Sequence, residues 1–198
     1  ERKNNIILND EELQNFKLAV SPIDVTYKLY EGKKSIGEKR NRCVKLAKHK
    51  IIAFLDSDDY YLENYLKHSI NLLKEKNLGL VGSNQMIFLF APENFKDKWM
   101  LTGIQCKDKR MIHEACMVFT KKHWKAMGGF QKNSQGEGTA MIDNMNEKTI
   151  GLTSIENIMV CITHPGNTIT KERFRESEKI DGYLNDFDKK LIHKILYP

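Results

Sequence analysis

The apolar run from Lys50 to Leu55 ends in Asp56-Ser57-Asp58-Asp59, and this junction constrains the chain most. Such a run predicts a strand that is buried on both faces in a parallel sheet. Carboxylates that follow the carboxyl end of such a strand lie where α/β folds place their ligands. Asp56 and Asp58 are two residues apart, so on extended backbone they project to the same side. The junction therefore predicts a site for a divalent cation and, through the cation, a diphosphate.

Strands and helices are predicted to alternate around this junction. A helix over residues 36–48 precedes the central strand, and an amphipathic helix over residues 62–73, capped by Asp58 or Asp59, follows it. This β-α-β-α-β order predicts an α/β fold with a mostly parallel central sheet and helices on both faces. The predicted strands cover residues 5–8, 25–30, 50–55, 78–83, 86–90, 115–119 and 155–162.

The second half of the chain has a less regular pattern. Residues 91–109 predict a loop or small lobe, and residues 121–127 predict a short helix that Gly128-Gly129 ends in the left-handed conformation. A further helix is expected over residues 139–146. With no repeat or low-complexity linker, the 198 residues predict one domain with a helical tail at about 170–198.

Composition narrows the class of protein. An apolar content of 40% with 29% charged residues is typical of a soluble globular protein. The sequence contains no run of about 18 apolar residues, so no membrane span is predicted. The four cysteines form no CxxC pair, and no Asn-x-Ser/Thr sequon occurs, so a reducing, cytoplasmic location is expected.

The net charge of +6 is concentrated before the acidic run. The basic cluster is either a solvated helix face or a positive wall that attracts a phosphorylated ligand, and both interpretations stay open. No nucleic-acid partner is expected, because aromatic residues are not interleaved with the cluster. The cluster comprises Lys33, Lys34, Lys39, Arg40, Arg42, Lys45, Lys48 and Lys50.

An ordered set of motifs surrounds the acidic run. Gly37 and the pair Arg40-Asn41 precede the strand, Asp-x-Asp-Asp follows it, and Gly128-Gly129-Phe130 comes later. This set resembles the GT-A nucleotide-sugar glycosyltransferases of family 2 over roughly residues 6–168. The resemblance implies a metal-dependent transfer of sugar from a nucleotide-diphosphate sugar, UDP-sugar favoured, to an acceptor hydroxyl on a glycan or protein. It also matches residues 5–8 to the family's second strand, so the chain is expected to lack the N-terminal strand.

The resemblance also implies roles for individual residues. Asp58 is implied as a metal ligand, Asp56 as a ligand of the metal or the ribose, and Asp59 as part of the nucleotide-sugar site. Asp10 matches a contact to the base, and Arg40 matches a contact near the base and diphosphate. The last strand is followed by His164, which in the family reaches the metal or diphosphate. An imidazole beside carboxylates favours Mn²⁺, with Mg²⁺ as the alternative.

Glu137 is the candidate general base, because the family carries an acidic residue at a helix start after its Gly-Gly-Phe segment. The usual second acidic residue is absent, since Gly138 follows. One base opposite the leaving group predicts direct displacement with inversion. His113-Glu114 is interpreted as surface between a loop and a strand, with a contact to the acceptor left open.

Two other functions fit the same residues. A nucleotidyltransferase also uses carboxylates and a divalent ion on an α/β sheet, although no Gly-rich phosphate loop is visible in this sequence. A nucleotide-sugar binding module with impaired catalysis is also possible, because Gly138 stands where the family carries its second acidic residue. Each single residue also has an ordinary structural explanation: a helix cap for the aspartates, a surface position for Arg40, and a loop hydrogen bond for His164. The sequence leaves the oligomeric state open.

Overall fold

The computed structural model describes residues 8–106, 108, 111–142, 147–164, 167 and 170–197. The chain divides into two units, Glu1–Ser35 and Ile36–Pro198.

The first unit contains helix α1, Asp10–Ala19. A reciprocal capping box starts the helix: Glu12 N–H donates to Asn9 Oδ1 (2.9 Å), and Asn9 N–H donates to Glu12 Oε2 (2.8 Å). The strand predicted over residues 25–30 is wrong, because this segment enters no ladder and a strand exists only where a neighbour accepts its backbone hydrogen bonds. The strand predicted at 5–8 falls mainly on residues outside those described.

Among the described residues of the second unit there are four further α-helices: α2 Ile36–Leu46, α3 Tyr65–Glu75, α4 Lys121–Ala126 and α5 Asp186–Leu196. Helix α2 confirms the helix predicted over residues 36–48. The N-cap of α3 is Asn64, so the predicted cap by Asp58 or Asp59 is wrong. Of the helical tail predicted at about 170–198, the part from Asp186 to Leu196 is an α-helix, whereas Glu178–Lys179 form a strand. Of the helix predicted at 139–146, a short 3-10 helix, Thr139–Met141, is present, and residues 143–146 are outside those described.

The described strands of the second unit form two sheets. The first has the order β1-β6-β3-β7 and the second the order β2-β8-β4-β5-β9. The strands are β1 Ile51–Ala53, β2 Asp59–Tyr61, β3 Leu80–Gly82, β4 Gln85–Phe90, β5 Met100–Gln105, β6 Val118–Thr120, β7 Ile150–Leu152, β8 Met159–Ile162 and β9 Glu178–Lys179.

The prediction of a mostly parallel sheet is wrong for the described strands. Only the β3–β7 and β4–β8 pairs among them are parallel. Strand β6 lies between β1 and β3 and runs antiparallel to both. A β-α-β pattern reports the order of elements along the chain, and it carries no signal that a strand from far downstream inserts between two of them. The broader α/β class is confirmed.

Four of the described strands, β2, β5, β7 and β9, were missed by the sequence patterns. Strand β5 lies inside the predicted loop 91–109 and pairs antiparallel with β4 over six residues. Strand β2 continues directly from the acidic run and pairs antiparallel with β8. The second pairing matters for the site, because it brings the segment after β1 beside the end of β8.

Helix α2 approaches the segment 131–137 closely at Gly37. A Cβ built on Gly37 would lie 1.7 Å from the carbonyl oxygen of Gln131 and 3.1 Å from Cβ of Glu137. Gly37 N–H also donates to Asn133 O (2.9 Å). Glycine at position 37 therefore allows the first turn of α2 to lie against the backbone that carries Glu137.

Within the part of the chain that the structure describes, every helix is too short or too polar to cross a bilayer.

Candidate active site at the ends of β1 and β8

The acidic run forms a turn, which we call the acidic turn (residues 56–59). Asp59 N–H donates to Asp56 O (3.3 Å), and β2 begins at Asp59. The expectation that Asp56 and Asp58 project to one side from extended backbone is therefore wrong. Their carboxylates have different partners: Asp56 binds Arg40, whereas Asp58 lies beside His164 and Asn167.

Arg40 is a buried cation between two carboxylates. Its Nη1 and Nη2 donate to the two oxygens of Asp56 (3.2 and 2.9 Å), and its Nε donates to Glu137 Oε1 (3.0 Å). The guanidinium also lies 4.7 Å from the ring centre of Phe54. Burial opposes the charge of Arg40, but Asp56 and Glu137 outweigh it and raise the pKa above its usual value. A bidentate pair of this kind fixes both partners in orientation.

The neighbouring Asn41 connects α2 to the Gly-Gly-Phe segment. Its Nδ2 donates to Phe130 O (2.8 Å), and its Oδ1 accepts from Phe130 N–H and from Trp124 Nε1 (both 2.9 Å). Gly129 has φ +83°, and a Cβ there would lie 2.8 Å from Asn41 Oδ1. The Arg-Asn pair thus holds the acidic turn with one residue and the Gly-Gly-Phe segment with the other.

Glu137 lies inside the site rather than at its surface. The residue is 4% exposed, its carboxylate accepts from Arg40 Nε, and its carbonyl oxygen accepts from Gln131 N–H (2.9 Å). The structure therefore places Glu137 next to Arg40 and Asp56. Its assignment as the general base stays a prediction.

Asp58 and His164 are brought together by the β2–β8 pairing. His164 Nε2 lies 3.5 Å from Asp58 Oδ2, and Asn167 Nδ2 donates to the same oxygen (3.4 Å). Asn167 Oδ1 accepts from His164 N–H (2.9 Å), so Asn167 links the backbone of His164 to the carboxylate of Asp58. A carboxylate oxygen and an imidazole nitrogen at this separation suit adjacent positions in the shell of one divalent cation.

The fit of a metal to these residues is partial. No group of three or more His, Cys, Asp or Glu side chains among the described residues is arranged to hold a cation. Asp58 and His164 supply two donors, and both oxygens of Asp56 are bonded to Arg40. These two donors suit a cation that receives its other ligands from a diphosphate and water, as Mg²⁺ and Mn²⁺ sites commonly do.

Asp59 is the most enclosed carboxylate of the acidic turn. It accepts from Ile162 N–H (3.1 Å) and lies 3.5 Å from Lys171 Nζ. Burial raises the pKa of Asp59 to about 6, with Lys171 acting in the opposite direction. These contacts tie the acidic turn to the segment that follows β8, and the predicted role of Asp59 in nucleotide-sugar binding stays a prediction.

Asp10, predicted to contact the base, lies in the first turn of α1 within the first unit. Its role stays a prediction.

Three residues of the site were missed or misread from the sequence. Tyr61 Oη accepts from Asp56 N–H (2.8 Å) and donates to Ala115 O (3.1 Å). His113 and Glu114, interpreted as surface, are only partly exposed, and Glu114 Oε1 accepts from Gly138 N–H (3.4 Å). For His113 and Glu114, the only signal in the sequence was their position immediately before the apolar run 115–119.

The buried imidazole of His113 makes the stability of the fold dependent on pH. Its Nδ1 accepts from Ala115 N–H (3.1 Å), and Nε2 lies 3.4 Å from Cys161 Sγ. Burial, with Lys171 and Arg40 as further causes, lowers the pKa of His113 to about 3. The imidazole therefore takes up a proton near pH 6.5 in the unfolded chain but stays neutral in the folded chain. The free energy of unfolding decreases as the pH falls below 6.5.

We expect this group to reduce the free energy of unfolding by about 2 kcal/mol between pH 7 and pH 5. Urea titrations of the wild type and of His113→Gln at both pH values measure the effect, and the variant should lose this part of the pH dependence. His49→Gln, which changes an exposed histidine, should retain it. Equal pH dependence in the wild type and His113→Gln would contradict the prediction.

Comparison with solved structures identifies the fold. Two crystal structures of S. aureus TarS, residues 1–349, resemble the chain at 16% identity. The first has a TM-score of 0.54 and aligns 77% of this chain with 48% of TarS. The second, a complex of TarS with UDP-GlcNAc, has a TM-score of 0.56 and aligns 93% of this chain with 58% of TarS. The chain thus spans about half the length of these structures, and its fold is of the GT-A type, as predicted.

Comparison with protein families identifies the relatives of the chain. Residues 2–138 match the model described as glycosyl transferase family 2. The match covers more than half of the 198 residues, and the chain belongs to this family. No curated protein matches the chain.

Proposed function

We propose that the chain transfers a sugar from a UDP-sugar to an acceptor hydroxyl of a glycan or protein, with inversion and with Mn²⁺ or Mg²⁺ as cofactor. The observation that carries the proposal is the 3.5 Å approach of His164 Nε2 to Asp58 Oδ2. The two residues are far apart in the sequence, and the β2–β8 pairing brings together the two segments that carry them. The UDP-GlcNAc complex of TarS, a structural neighbour, supports the choice of donor.

Some residues of the site bind the donor and its cation, and others take part in proton transfer. Asp58 and His164 would hold the cation, which when bound neutralises charge on the leaving diphosphate. Arg40 fixes the orientation of both the Asp56 and the Glu137 carboxylates. A carboxylate of this site takes the proton of the acceptor hydroxyl, and direct displacement of the diphosphate by this hydroxyl inverts the anomeric configuration.

All four cysteines are unpaired, which supports a reducing compartment such as the cytoplasm.

A second function, binding of a nucleotide sugar without catalysis, is favoured by one observation. Glu137, the base predicted from the sequence, is engaged by Arg40. The two functions differ in one measurable product, because only the transferase releases UDP.

We expect the wild-type chain to release UDP from UDP-GlcNAc, or from another member of a UDP-sugar panel, only when Mn²⁺ or Mg²⁺ is present. A coupled assay for free UDP, with water and simple glycans as acceptors and EDTA as control, measures this. Calorimetric binding of UDP-sugar without any release of UDP would select the binding module. Neither binding nor release across the panel would overturn both functions.

A further inference from the structure

A second carboxylate, that of Glu114, lies against the segment that carries Glu137. A Cβ built on Gly138 would lie 2.5 Å from Cγ of Glu114 and 3.4 Å from its Cδ. Gly138 N–H donates to Glu114 Oε1 (3.4 Å). Glu114 therefore fills the space that a side chain at position 138 would occupy.

The backbone of Gly138 does not itself require glycine. Its φ of −82° and ψ of −9° are accessible to every L-residue. The other close neighbour of a Cβ at position 138 is Cε of Met117, the end of a flexible side chain (2.9 Å). Glycine at position 138 is thus explained by the presence of Glu114.

Two routes of contacts tie Glu114 to Asp56. In one, the next residue, Ala115, accepts from Tyr61 Oη, and this hydroxyl accepts from Asp56 N–H. In the other, Glu137, the residue before Gly138, accepts from Arg40, which also binds the carboxylate of Asp56. Glu114 is therefore held at a defined position relative to the acidic turn.

Glu114 and Glu137 differ in their charge environment. Glu137 is ion-paired with Arg40 at 3.0 Å, whereas no cation of the described residues lies within ion-pair distance of Glu114. Burial raises the pKa of Glu114, and the charge of Glu137 adds to this, while the Gly138 N–H and Arg40 oppose it in part. A carboxylate whose pKa is raised is a stronger proton acceptor, and no ion-paired cation of the described residues occupies the carboxylate of Glu114.

We propose that Glu114 is the general base of the transfer and that Glu137 is a positioning residue for Arg40. This inference rests on the proposed function. The Glu114 carboxylate takes the proton of the acceptor hydroxyl while the acceptor oxygen bonds to the anomeric carbon. The bond from this carbon to UDP breaks, and its electron pair leaves on the diphosphate oxygen of UDP. The ligand class that Glu114 faces is thus an alcohol, or water in the absence of an acceptor.

The first test is Glu114→Gln, which keeps an oxygen that accepts from Gly138 N–H. UDP release from UDP-GlcNAc, or from the panel donor that the wild type uses, should fall about 10²- to 10⁴-fold, the range for loss of a general base. UDP affinity by calorimetry and the melting temperature should stay at wild-type values. The matched control is Glu75→Gln, which changes an exposed glutamate at the end of α3 and should release UDP at the wild-type rate.

A second test moves the carboxylate to the neighbouring position. Glu114→Ala vacates the space beside Gly138, and Gly138→Asp then places a carboxylate there on backbone that accepts it. The double variant should release UDP at least about 10-fold faster than Glu114→Ala alone, because a base is again present. This comparison remains decisive if Glu114→Gln folds poorly.

The outcomes separate the two proposals. Wild-type turnover by Glu114→Gln, or a folded double variant no faster than Glu114→Ala, overturns the assignment of Glu114 and leaves the transferase standing. A rate loss in Glu137→Gln without one in Glu114→Gln returns the role of base to Glu137. A wild type that binds UDP-sugar and releases no UDP from any donor overturns the transferase, and the role of Glu114 falls with it.

Discussion

Replacing Arg40 with methionine should lower the free energy of unfolding by about 3–5 kcal/mol, because it leaves two carboxylates without their cation. Glu137 is 4% exposed, and Arg40 is the cation that its carboxylate contacts. Asp56 loses a bidentate partner at the same time. Methionine approximates the length of the aliphatic part of arginine. The loss of unfolding free energy therefore reflects the missing charge and hydrogen bonds more than any change in packing.

Urea denaturation at pH 7 measures this effect, and Lys45→Met is the matched control. Lys45 lies on the same helix, α2, and is exposed, so its replacement should change the free energy of unfolding by no more than about 0.5 kcal/mol. If the two variants were equally stable, the ion-pair network at Arg40 would contribute nothing beyond a surface charge.

Replacing Asp58 with alanine should weaken Mn²⁺-supported binding of UDP by at least about 10- to 100-fold, the range already seen when outer-shell partners of metal ligands are lost. Asp58 is the carboxylate of the acidic turn that lies beside His164, and it has no bidentate partner among the described residues. The variant removes one of the two donors that the site offers to a cation. Calorimetry with UDP, with Mn²⁺ and with EDTA, separates the metal-supported part of the affinity from the rest.

Asp181→Ala, which removes an exposed carboxylate in the C-terminal segment, provides the control and should bind UDP as the wild type does. The Asp58 variant should bind UDP in EDTA with the same affinity as the wild type, since only the cation-mediated contact is lost. Equal Mn²⁺-supported affinity in Asp58→Ala and in the wild type would count against both the metal site and the donor assignment.

Local patterns predicted the helices of this chain better than its sheets. The apolar spacing of residues 36–48 and the glycines that follow Ala126 describe interactions within a few residues, and α2 and the end of α4 are found there. The insertion of β6 between β1 and β3 depends on contacts between segments that are about 40 to 70 residues apart in the sequence. No periodicity within either segment encodes that choice of neighbour.

In the candidate site, too, the sequence motifs predicted which residues take part but not all of their long-range contacts. The motifs predicted that Arg40, Asp56 and Glu137 belong to one site, and the structure brings these three side chains together. The sequence could not reveal that Arg40 would occupy both carboxylates, because Arg40 and Glu137 are 97 residues apart. The role of Gly138 was equally hidden, since the side chain that fills its space comes from position 114.

Asn41 has a consequence for any redesign of this protein. Its amide satisfies the N–H and the C=O of Phe130 together with the indole of Trp124. Aspartate would lack the donor and alanine would lack all three bonds, while any side chain at position 129 would collide with the amide oxygen. Positions 41, 124 and 129 are therefore coupled, and a substitution at one of them changes which residues the other two can accept.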